Sequence, residues 1–254
     1  PKNVLVRAAG PGLQGFGVGG TLSDPTLSIV NSAGIVIAEN DNWELGGNVA
    51  ALSATSARLG AFQFSAGSRD AALLAVLPPG NYTAIVSGVN DAGGVALVEA
   101  YDADPDAASA GSRRLINIAT RGQVSSGDDI LIAGLVVTGP GPRTYLIRAI
   151  GPTLGKAPFN LSGALQDPFL QIYRGENLVR ENDDWDSPES GMAALRQAAA
   201  RVGAFALMET RDPFTQSGLD AAMLITLHPG SYTAKVSGFA GETGVALVEV
   251  YEMP

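Results

Sequence analysis

The chain has 254 residues with 46% hydrophobic and 16% charged side chains, enough apolar material for one large domain or two ordinary ones. It has no cysteine and one histidine, His228, which excludes disulfides, thiolate chemistry and multi-histidine metal sites. A formal net charge of −9 argues against nucleic acid as a partner, and no apolar stretch reaches the length of a transmembrane helix.

In chain order, Val4 to Ala8 reads as a strand that runs into the turn Gly10-Pro11. Thr26 to Val30 and Ile35 to Ile37, joined by Asn31-Ser32-Ala33-Gly34, have the grammar of a hairpin. Val49 to Leu59 reads as a short, serine-containing helix that stops at Gly60, shorter and weaker than its later counterpart. Ala72 to Leu77 and Tyr82 to Ser87 are predicted strands around Pro78-Pro79-Gly80-Asn81, and Val95 to Tyr101 closes the first half. An alanine-, aspartate- and serine-rich stretch follows as a linker. Beyond it, Leu115 to Ala119 is predicted as a strand, and the apolar run Ile130 to Thr138 as a well-buried one.

From there the chain repeats itself. Val4-Leu5-Val6-Arg7-Ala8-Ala9-Gly10-Pro11 returns as Tyr145-Leu146-Ile147-Arg148-Ala149-Ile150-Gly151-Pro152, and Glu39-Asn40-Asp41-Asn42-Trp43 returns as Glu181-Asn182-Asp183-Asp184-Trp185. Gly94-Val95-Ala96-Leu97-Val98-Glu99 returns unchanged as Gly244-Val245-Ala246-Leu247-Val248-Glu249. The offset between copies drifts from 141 to 150, with each change in an expected loop. In the second copy, Ser187-Pro188-Glu189 is a plausible cap for a helix over Met192 to Val202, with Leu195, Ala199 and Val202 on one face. The predicted fold class is therefore all-β: two homologous β-sandwich, jelly-roll-like domains in tandem, each with one short inserted helix. The expected bounds are 1–102 for the first repeat, 103–112 for the linker and 113–254 for the second repeat, which includes a strand pair at 113–138. The first repeat has no such pair ahead of it.

The stretch Asp24 to Trp43, taken with Pro79-Gly80-Asn81-Tyr82-Thr83, resembles the bacterial pre-peptidase C-terminal domain family. Asp167, Gly175, Asn182-Asp183 and Leu227-His228-Pro229-Gly230-Ser231-Tyr232 fit the same pattern in the second copy. The resemblance implies a small calcium-associated β-sandwich appended to exported proteins, and the tandem text is also similar to repeats of large exported bacterial proteins. Asp24, Asn40 and Asp41, with Asp167, Asn182 and Asp183, are accordingly candidate Ca2+ ligands. The same residues also suit plain turn chemistry. Trp43 and Trp185 are candidate binding or packing aromatics, and Phe214, on the longer loop of the second copy, is a candidate contact. Arg7 and Arg148 are candidate ion-pair partners of Glu99 and Glu249.

The residues carry no nucleophile elbow and no phosphate loop, so no enzymatic activity is expected. The unequal copies point instead to assembly. Two sandwiches share one strand pair, and a neighbouring subunit could supply the missing strands head to tail. The expected assembly strands involve Val4, Leu5 and Val6, together with Leu115, Ile116, Ile118, Ile130, Ile132 and Val136. This predicts a structural subunit of an extracellular or cell-surface filament, with copies of itself as partners. Only three lysines are present (Lys2, Lys156, Lys235), and the start at Pro1 predicts a processed or truncated product. The alternative is a secreted tandem module that binds glycan or matrix.

Overall fold

The computed structural model describes residues 1–104, 117–127, 129–186, 191–209 and 219–254. It divides into two compact units, Pro1–Arg114 and Leu115–Pro254, and each is a β-sandwich of two antiparallel sheets. Leu115, Ile116, Phe214 and the expected cap Ser187-Pro188-Glu189 lie outside the described residues.

Unit 1 contains β1 (Lys2–Ala9), β2 (Pro25–Asn31), β3 (Val36–Asn40), α1 (Val49–Leu59), β4 (Ala71–Leu77), β5 (Tyr82–Gly88) and β6 (Leu97–Asp102). One sheet has the order β4-β1-β6 and the other β3-β2-β5. β1 is buried on both faces, and strand alternation explains why. Val4, Val6 and Ala8 join Leu27 and Ile29 of the opposite sheet in the core, while Leu5 packs with Trp43 and Leu52 beneath α1. Val4, Leu5 and Val6 were expected on an assembly strand. They lie instead in the middle strand, which is bonded on one side to β4 and on the other to β6.

Unit 2 contains β7 (Asn117–Val124), β8 (Leu131–Val137), β9 (Arg143–Ile150), β10 (Pro168–Arg174), β11 (Asn177–Asn182), α2 (Met192–Val202), β12 (Ala221–Leu227), β13 (Gly230–Gly238) and β14 (Gly244–Glu252). Its sheets are β12-β9-β14-β7 and β11-β10-β13-β8. The topology is that of unit 1 with one strand added to each sheet, β7 beside β14 and β8 beside β13. The extra pair therefore completes the second repeat. Val124 and Val137 enter its core, and Leu131, Ala133 and Leu135 pack against it.

Three expectations need correction. The run Ile130 to Thr138 is not buried throughout: β8 alternates, with Leu131, Ala133, Leu135 and Val137 turned inward. Ile132 and Val136 point outward, 49% and 65% exposed, and Ile118 on β7 is 43% exposed. An edge strand has only one face against a core, so half of an apolar run meets water. Ile130 precedes β8 and is half-buried. The linker does not begin at 103, because the Ala103 N–H donates to the Asn3 carbonyl and Asp104 accepts from the Asn3 amide at 2.7 Å. Nor is α1 shorter than the described α2. Both have eleven residues and stop at a glycine in the left-handed region, Gly60 or Gly203, at φ 73°.

Candidate functional site

Two places merit description from the residues upward: the acidic rim where β2 or β10 begins, and the open side of unit 1.

The rim is organised by an asparagine in each copy. The Asn40 side-chain Oδ1 accepts the Ala72 N–H at 2.9 Å and its Nδ2 donates to the Asn42 carbonyl. Asn182 makes the matching bonds to Ala222 and Asp184. These asparagines tie the end of one sheet to the start of the other, and the bonds explain their recurrence without a metal. Asp24 accepts from Arg69 at 2.8 Å, and Asp41 is exposed. In unit 2 the position matching Arg69 is Leu219, and Asp184 replaces Asn42. Burial, reinforced by Asp183, Asp184 and Glu242, pushes the Asp167 carboxyl up to about 7. Burial and Asp184 raise Asp183 in the same way. This rim has the charge to attract a cation, but calcium wants six to eight oxygens. Among the described residues no group of three acidic or histidine side chains is placed to hold a metal ion.

The aromatic candidates are packing residues in position. Trp43 and Trp185 are 7% and 3% exposed, each held between its helix and the outer face of a sheet. The Trp185 Nε1–H donates to the Met208 carbonyl at 2.7 Å. Beside them lies the recurring ion pair. Arg148 donates through Nε to Glu249 at 2.8 Å, donates again through Nη2, and reaches the Phe205 carbonyl through Nη1 at 2.6 Å. In unit 1 the contact is looser, with one Arg7–Glu99 approach at 3.1 Å.

Sequence reasoning missed the fully buried Asp70 and Asp220. The Asp70 carboxylate accepts the N–H groups of Gly10 and Gly12 at 2.7 and 3.0 Å, and Asp220 accepts that of Gly151 at 2.9 Å and the Thr153 hydroxyl. Both carboxylates hold the turn after a central strand. The signal was available as Asp70-Ala71-Ala72 returning as Asp220-Ala221-Ala222.

The open side of unit 1 lies along β5 and β6, where unit 2 carries β8 and β7. Ala234 and Val248, sealed by those strands, are 0% and 1% exposed. Their unit 1 counterparts fare differently: Ala84 is exposed and Val98 is 37% exposed. Two edge strands thus leave interior-facing side chains and a row of backbone N–H and C=O groups without cover from the described residues of the unit. No helix among the described residues is long and apolar enough to cross a membrane. No family model and no curated protein matches the chain.

Proposed function

We propose that the chain is a non-catalytic structural subunit of an extracellular filament or surface assembly, in which strands of a neighbouring subunit close the open side of unit 1. The observation that carries this reading is that, among the described residues, both sheets of unit 1 have three strands where those of unit 2 have four, the difference falling on the same side of the sandwich. Supply and demand within one molecule do not balance, because β7 and β8 are already bonded to β14 and β13. Each of the two nevertheless keeps one free edge. A neighbour that retains its own pair would lay β7 beside β6 and β8 beside β5, extending both sheets across the boundary. That contact joins unlike surfaces, so it propagates head to tail and does not close into a dimer. The competing reading, a glycan- or matrix-binding module, draws no support from Trp43 or Trp185, whose rings are buried.

The test is the assembly state of the whole chain, by light scattering on a sizing column and by electron microscopy. Growth with concentration is expected. Ala84→Lys, which puts a charge on the interior-facing side of β5, should stop it while leaving Trp185 fluorescence unchanged. A chain that stays monomeric at its highest soluble concentration, or an Ala84→Lys variant that assembles like the parent, would overturn the reading.

A further inference from the structure

Where the first copy has Phe64 the second has Leu207, and the difference leaves a space. In unit 1 the Arg7 guanidinium contacts two rings, Phe62 at 4.5 Å and Phe64 at 4.0 Å, and Phe64 also meets Trp43 edge-on at 6.2 Å. In unit 2 Arg148 keeps the first ring, Phe205 at 4.5 Å, but the residue in the place of Phe64 is Leu207. A pocket of roughly 290 Å3 lies there, walled by Arg148, Trp185, Leu195 and Leu207. At its rim stand Arg196 and Glu209, paired at 2.7 Å and both partly exposed.

We propose that this pocket is a binding site for a small planar aromatic molecule, whose ring takes the position that Phe64 occupies in the first copy. The lining is apolar apart from the Arg148 guanidinium and the Arg196–Glu209 pair. Nε and Nη2 of Arg148 are engaged by Glu249 and Nη1 by the Phe205 carbonyl, with the Phe205 and Tyr251 rings at 4.5 and 5.9 Å. The guanidinium still lines the pocket, where it would meet a ring as Arg7 meets Phe64. Trp185 supplies an edge-to-face partner of the kind Trp43 gives Phe64. The rim ion pair sets the size limit, since a larger ligand has to displace it.

Toluene is the probe, titrated into the full chain while the indole N–H resonances of both tryptophans are followed by NMR. The Trp185 signal should shift saturably and the Trp43 signal should stay fixed. Cyclohexane, equally apolar but without a π-face, should bind about tenfold more weakly. Leu207→Phe installs the ring covalently, as unit 1 already does, and should abolish the toluene shift. Phe64→Leu should create the same response at Trp43. An unresponsive Trp185, a toluene shift that survives Leu207→Phe, or equal binding of cyclohexane would each overturn the assignment.

Discussion

The ion pair that recurs in the two units offers a measurement with an internal control. Glu249→Gln removes one charge without changing shape and leaves Arg148, 1% exposed, without its counter-ion. Two charge-assisted bonds to Glu249 are lost or weakened, and the Tyr251 hydroxyl that donates to Glu249 at 3.1 Å is disturbed. Breaking a buried pair by removing one partner costs about 3–5 kcal/mol, and the glutamine oxygen returns roughly 1 kcal/mol as a neutral hydrogen bond. The expected loss for unit 2 is therefore about 2–4 kcal/mol. Glu99→Gln should cost less, about 1–2 kcal/mol, because the Arg7–Glu99 approach is a single contact at 3.1 Å and the Glu99 side chain is 12% exposed. Urea unfolding reports the two units separately when Trp43→Phe or Trp185→Phe isolates one fluorophore. Equal losses in the two units, or a loss below about 1 kcal/mol for Glu249→Gln, would refute the argument from pairing geometry, since Arg7 and Arg148 are each 1% exposed.

Two further outcomes follow from the same geometry. Asp167 binds its proton more tightly folded, at about 7, than unfolded, at the ordinary 3.8, so the stability of unit 2 should fall as pH rises through that window. Asp167→Asn should flatten that fall and be more stable than the parent at pH 8. Gly151→Ala should destabilise unit 2 by roughly 1–3 kcal/mol, since an added Cβ would stand 2.1 Å from the Leu165 carbonyl oxygen. Gly15→Ala, which meets nothing within 4 Å, is the matched control and should be neutral or slightly stabilising in thermal melts.

Much of the architecture was legible because the chain states it twice. Ordered matches such as Gly94 to Glu99 against Gly244 to Glu249 marked two copies, and the Pro-Gly turns marked their strand ends. The face each residue occupies was less legible. Ile130 to Thr138 is apolar nearly throughout, and composition cannot tell a strand with two covered faces from an edge strand with one. Val4, Leu5 and Val6 misled for a related reason. They were expected on an assembly strand, whereas pairing puts them between β4 and β6. At the acidic rim the repeat hid the difference that matters: Arg69 against Leu219 and Asn42 against Asp184 decide whether a carboxylate is neutralised, and neither pair stands out in a matched text.

The identical residues on β5 and β13 bear on whether the open side of unit 1 is built for water. Tyr82, Thr83, Ala84, Val86, Ser87 and Gly88 match Tyr232, Thr233, Ala234, Val236, Ser237 and Gly238 without a change, although Ala84 is exposed and Ala234 is fully buried. A strand adapted to a solvated edge carries an inward charge, a proline or a bulge. β5 has none of these, and its pairing with β2 runs in register from Gly88 to Tyr82. At the one internal position where the strands differ, Ile85 stands where unit 2 has Lys235, so the edge without a neighbour is the more apolar of the two. β6 repeats the pattern through Leu97, Val98 and Glu99, which match Leu247, Val248 and Glu249. Both edges thus keep the chemistry of interior strands, which is what an acceptor of two further strands requires and what a solvated edge would have lost.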